Sequence, residues 1–181
     1  EQCLELGYKG YKMHGWSAGN VKDEIEMLKA VGDRVAGKMK IMYDAACHLD
    51  TLSDALEVGR ICDEYGFYWY EDPYKDGGVS LNGNQVLVQK LSTPLLVGEH
   101  VRNLETSVDM LVNGSSFFSR ADPDYDGGIT GSYKLVLASE GLGVDCEIHS
   151  GGPPMRHLMA ASRNSNFYEV NLLHPKCNNP W

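Results

Sequence analysis

Short, mostly apolar runs alternate along the chain with longer stretches in which apolar residues recur every three or four positions. The short runs read as buried strands, since parallel strands covered on both faces lose the in-and-out alternation of a half-exposed sheet. They are Gly7 to His14, Met39 to Ala45, Tyr68 to Asp72, Leu95 to Glu99, Phe117 to Ala121, Gly143 to His149 and Asn166 to Asn171. The longer stretches predict helices: Val21 to Val31 (VKDEIEMLKAV), Leu52 to Tyr65, Val86 to Leu91, Leu104 to Val112, Gly131 to Ser139 and Met155 to Ala161. Thr51 and Asn103 stand where N-caps belong. Strand and helix alternate with a period of roughly 25 to 30 residues, which predicts βα units around a parallel sheet. The expectation is an α/β fold of the TIM-type (β/α) barrel class, one domain over residues 1–181, with seven of eight βα units present. The missing first strand is expected before residue 1.

Three of the strands end in an acid: Asp44 in IMYDAA, Glu71 in YWYEDPY and Glu99 in LLVGEH. In a (β/α)8 barrel the C-terminal strand ends converge on one mouth, so acids from consecutive strands meet there and offer hard oxygen ligands to a divalent cation such as Mg2+. Acids that cap helices or solvate loops are the ordinary alternative. Their ordered recurrence over three consecutive units favours the metal site.

Other strand ends carry further chemistry. Lys12 and His14 lie two apart, so their side chains share a face. Two adjacent cations depress each other's pKa, which predicts a Lys or His neutral enough to take a proton; a snorkelling Lys and a packed His are the alternative. Asp122 after FFSRA and His149 after VDCEI end neighbouring strands, where an Asp–His hydrogen bond would fix the imidazole tautomer. Glu169 in NFYEVN ends the last strand and could donate or accept a hydrogen bond opposite the metal, or serve as a buried ion-pair partner. Asp124, Asp126 and His100 rank lower.

Composition narrows the partners. Sixteen basic against 25 acidic residues give a net charge of −9, and no basic stripe is visible, which disfavours nucleic acid and anionic membrane. The 43% hydrophobic content is that of an ordinary globular domain. Cys3, Cys47, Cys62, Cys146 and Cys177 form no CxxC pair, so free thiols and a reducing, cytoplasmic setting are expected.

Taken together, GYKGYKMH, IMYDAA, YWYEDP, LLVGEH, ADPDYDGGITG, EIHSGG and FYE resemble the barrel domain of the enolase superfamily, in its mandelate racemase/muconate lactonizing enzyme family and mandelate racemase subgroup. The resemblance implies Mg2+ on Asp44, Glu71 and Glu99. It places Lys12 and His14 at a second-strand Lys-x-Lys motif whose second lysine is here a histidine, Asp122 and His149 at an Asp–His dyad, and Glu169 at a glutamate that hydrogen-bonds the substrate carboxylate. It also implies an N-terminal capping domain, absent here, and a homo-oligomer. The implied activity is abstraction of the proton α to a carboxylate through an enediolate. Dehydration of an acid sugar to a 2-keto-3-deoxy acid is preferred, racemisation or epimerisation of a 2-hydroxy acid is the alternative, and a non-catalytic truncated barrel is a third reading.

Overall fold

A computed structural model describes residues 2–73, 75 and 80–171. After a short helix α1 (Gln2–Glu5), strands and helices alternate: β1 (Gly10–His14), α2 (Val21–Val35), β2 (Lys40–Asp44), α3 (Leu52–Tyr65), β3 (Tyr70–Glu71), α4 (Leu81–Lys90), β4 (Leu95–Leu96), α5 (Leu104–Val112), β5 (Ser119–Ala121), α6 (Gly128–Gly141), β6 (Cys146–Ile148) and α7 (Pro153–Ala160). The strands pair in chain order and in parallel, β1 to β4 in one sheet and β5 with β6 in another. A single parallel bridge, Leu96 to Phe118, joins the two. The result is an arc of a (β/α) barrel, not closed on itself. Cys177 lies outside the described residues, where Cys3, Cys47, Cys62 and Cys146 are free thiols. Among those residues no helix is long and apolar enough to cross a membrane.

Alternation along each strand sorts side chains between two cores. Ile41 and Tyr43 of β2 face the helices, in a cluster with Leu28, Val58, Tyr70, Leu87 and Leu95. Met42 faces the inside of the arc, where it packs with Trp69, Leu96 and Phe118. A separate layer, including Leu135, Val136, Ile148 and Leu158, seats α6 and α7 on β5 and β6. Register puts the chemistry at one level: His14 pairs with Asp44, Asp44 with Glu71, and Glu71 with Leu96.

The caps act as the sequence predicts. Thr51 and Asp54 form a reciprocal capping box on α3, and Asn103 accepts from Thr106 N at 2.8 Å. Of the helices that run longer than expected, α2 and α4 do so through glycines that permit close packing and do not break the helix. α2 continues through Gly32, where an added Cβ would lie 2.3 Å from the Tyr65 ring. α4 starts at Leu81, capped by Ser80, with Gly83 and Asn84 buried.

The seventh predicted strand departs from expectation. Residues 166–171 run beside β6 without forming a ladder. The amides of Asn166 and Phe167 donate to the Glu147 carboxylate at 3.1 and 3.2 Å, and Ser150 N donates to Glu169 at 2.9 Å. Side-chain carboxylates thus take the positions that strand carbonyls would otherwise fill.

Candidate active site

The strand ends do converge. Asp44, Glu71 and Glu99 present carboxylate oxygens all within 4.8 Å of one another. Asp44 and Glu71 are buried and Glu99 is half-buried. Glu99 reaches the group because Gly98 precedes it: its φ of +150° suits glycine, and a Cβ there would lie 3.0 Å from the Arg120 Cβ.

Cations surround this cluster. Lys12 Nζ lies 3.0 Å from Glu71, 3.3 Å from Asp44 and 3.0 Å from Glu169. Arg120, buried on β5, places Nη2 2.7 Å from Glu71 Oε1 and 2.5 Å from Glu169 Oε1. Trp69 Nε1 donates to Glu71 Oε2 at 3.2 Å.

These contacts set the charges. Burial and the Arg120 charge pull the Lys12 pKa down, but Glu71, Glu169 and Asp44 outweigh them and hold it above the ordinary lysine value. Three carboxylates, rather than a second cation, are the nearest partners of Lys12, and they favour its charged form. Burial pushes the Glu71 carboxyl up to about 7 against the opposing pull of Arg120 and Lys12. For Glu169 the balance runs the other way: burial raises its pKa, yet Arg120 and Lys12 together hold it well below the usual carboxylate range. The ionised form of Glu169 accepts from Arg120 Nη2 and from Lys12.

On the opposite side, His149 Nδ1–H donates to Asp122 Oδ2 in a short contact, and its Nε2 lies 3.3 Å from Glu99 Oε2. Burial lowers the His149 pKa, but the Asp122 hydrogen bond, with Glu99 and Glu169 behind it, carries the net shift upward. Tyr125 stacks on the imidazole with ring centroids 6.5 Å apart, and the Arg102 guanidinium sits 4.0 Å over the other ring. Asp124 N and Asp126 only brace the Asp122 loop: Asp124 N donates to Asp122 Oδ1, and Asp126 accepts from Asp122 N, both at 2.7 Å.

His14 stays apart from the ion-pair network. It is exposed, and its Nδ1–H donates to the Gly15 carbonyl at 3.0 Å, which leaves Nε2 as the basic atom. Lys12, His14, Glu99, His149 and Glu169 all line one cavity of about 500 Å³.

The donor set suits a hard divalent cation. All three groups are carboxylates, and Glu71 Oε1 is buried with no hydrogen bond, since its contact with Arg120 is off-angle. Arg120 and Glu147 are the site residues that sequence reading missed. Both had a signal: each lies two residues before a predicted site residue, Asp122 or His149, and so shares its face of the strand.

Parallel βα units, helices outside and a carboxylate-lined mouth at the C-terminal strand ends define a (β/α)-barrel domain with a candidate metal site at its mouth. The chain belongs to the Enolase C-terminal domain-like family, whose model matches residues 1–180. It is 25% identical over 173 residues to arabinonate dehydratase of Saccharolobus solfataricus, covering 93% of this chain and 45% of that protein. It is also 25% identical over 142 residues to L-talarate/galactarate dehydratase of Salmonella typhimurium, covering 78% of this chain and 35% of that one. Among solved structures, D-glucarate dehydratase from Agrobacterium tumefaciens complexed with magnesium superposes with a TM-score of 0.90 at 29% identity, over 98% of this chain and 47% of that chain. The chain thus spans less than half the length of these relatives.

Proposed function

We propose that this chain supplies the C-terminal barrel portion of a Mg2+-dependent enzyme that removes the proton α to a carboxylate, and that the reaction is dehydration of an acid sugar to a 2-keto-3-deoxy acid. The observation that carries this reading is the placement of the Asp122-bonded His149, its Nε2 turned toward the three-carboxylate cluster, across one cavity from Lys12 and His14. Similarity to three sugar-acid dehydratases, one of them complexed with magnesium, supports it.

Asp44, Glu71 and Glu99 would hold Mg2+, which as a Lewis acid supplies stabilisation of charge developing on a substrate carboxylate. Lys12, an ammonium fixed by Glu169 and Glu71, adds a hydrogen-bond donor to that charge. His14 Nε2 takes the α-proton, the C–H electrons pass into the carboxylate as an enediolate, and their return to form the Cα–Cβ double bond expels the β-hydroxyl as water with a proton from His149. The enol then tautomerises to the 2-keto acid. Asp122 holds His149 in the tautomer and orientation this needs.

Proton NMR in D2O with Mg2+ and a panel of acid sugars tests the reading. A new 3-deoxy methylene supports dehydration. Exchange of the α-proton without loss of water makes the enzyme a racemase or epimerase, and an unchanged panel with Mg2+ bound overturns the catalytic reading. His149→Asn should abolish the methylene signal, a loss on the order of 100-fold or more for a general acid, and normal dehydration in that variant would remove His149 from this role.

A further inference from the structure

We propose a second cation site, behind the three-carboxylate cluster, formed by Cys47 Sγ, the Asp72 carboxylate and the His100 imidazole, and suited to a borderline transition ion such as Zn2+. One ligand atom from each lies within 4.8 Å of the other two. Each of three successive strand ends serves both clusters: Asp44 ends β2 and Cys47 follows it, Glu71 ends β3 and Asp72 follows it, and Glu99 and His100 both follow β4.

The independent observation is Asp72. Its side chain is fully buried, and neither carboxylate oxygen has a hydrogen bond. A buried carboxylate without a partner is unfavourable until a cation meets it. Oδ2 faces His100 Nε2 at 3.9 Å, a separation that an ion between two ligands at about 2.0 to 2.2 Å each would span.

The backbone brings the other ligands in. Cys47 N donates to the Asp72 carbonyl at 2.8 Å, extending the β2–β3 pairing past the strand ends. Ala46, Cys47 and Asp72 have φ of 52°, 57° and 35°, left-handed values that non-glycine residues adopt only at a cost. His100 is about one-third exposed, which leaves a path for an ion and a place for a water ligand.

Ligand chemistry sets the ion class. Thiolate, imidazole and one carboxylate select Zn2+ or Co2+, whereas the neighbouring all-oxygen cluster selects Mg2+. On binding, the Cys47 thiol gives up its proton and His100 coordinates as the neutral ring.

Titration of the protein with Co2+ in the presence of excess Mg2+ tests this, because only a thiolate ligand produces sulfur-to-cobalt charge-transfer absorption. The expected result is a band that saturates at one equivalent, is bleached by Zn2+ but not by more Mg2+, and disappears in Cys47→Ser. Asp72→Asn and His100→Gln should weaken Co2+ binding at least about tenfold, with the far-ultraviolet circular dichroism of each variant checked against the parent. Absence of the band, its persistence in Cys47→Ser, or unchanged affinity in both other variants overturns the site. None of these readouts depends on the catalytic reading, so either can fail alone.

Discussion

Arg120 shows how much one side chain carries. Its guanidinium is buried between Glu71 and Glu169, and Lys12 bridges the same two acids, so four charges share one desolvated pocket. Removing one member leaves the others uncompensated, and a buried charge without its partner costs more than the pair contributes. Arg120→Gln should therefore destabilise the protein by about 3 to 5 kcal/mol, read as a lowered urea midpoint. An unchanged midpoint would mean that Lys12 alone balances both carboxylates. Nothing in the composition distinguishes Arg120 from an ordinary surface arginine; only its parity with Asp122 hints that it points inward.

At the scale of elements, Glu24 ties α2 to the loop that follows β1. Buried in the first turns of α2, it accepts from Trp16 N at 3.2 Å, Ser17 N at 3.0 Å and Ser17 Oγ at 2.6 Å through Oε1, and from the buried Tyr43 hydroxyl at 2.9 Å through Oε2. Glu24→Ala strands that hydroxyl and should cost about 1 to 3 kcal/mol, measurable by thermal unfolding. On the outer surface, Tyr65 of α3 donates to Asp33 of α2 at 2.7 Å. That hydrogen bond, with slight burial and the Asp33 and Glu64 charges, pushes the Tyr65 phenol up to about 12. A raised folded-state pKa means that the stabilisation is present below about pH 10, the unfolded value, and is lost as pH rises through 12. Ring-carbon NMR should show Tyr65 titrating above the other exposed tyrosines, and Asp33→Ala should bring it back toward their range.

For the molecule as a whole, the carboxylate cluster couples metal binding to stability. Without a cation, burial and the neighbouring Asp44 and Glu169 charges raise the Glu71 carboxyl, with Arg120 and Lys12 opposing them. A divalent cation would relieve that repulsion only in the folded state, where the three acids meet. Saturating Mg2+ should then raise the unfolding temperature, by an amount equivalent to about 2.7 kcal/mol at 100 times the dissociation constant. EDTA should reverse the shift and Glu71→Gln should abolish it. A thermal midpoint indifferent to Mg2+ in the parent would mean that the cluster does not bind the ion at these positions.

Much of this was legible from local pattern. Parallel strands buried on both faces appear as short apolar runs, so the strands that pair, the barrel class and the acids at their ends could be read directly, and caps such as Thr51 and Asn103 announced their helices. The segment 166–171 was misread because its apolar pattern is strand-like, while the decision against a ladder lies with Glu147, which captures its amides. The charge on Lys12 was not legible, because it depends on which groups surround it, and its carboxylate neighbours come from three other segments. The sequence by itself determined the period of the βα repeat and the order in which chemical groups reach the mouth, since both follow from spacing along one chain. Only the tertiary structure decided which of those groups touch, which are charged and which polar atoms are left unpaired, because burial and Coulomb interactions depend on distances between residues far apart in the chain.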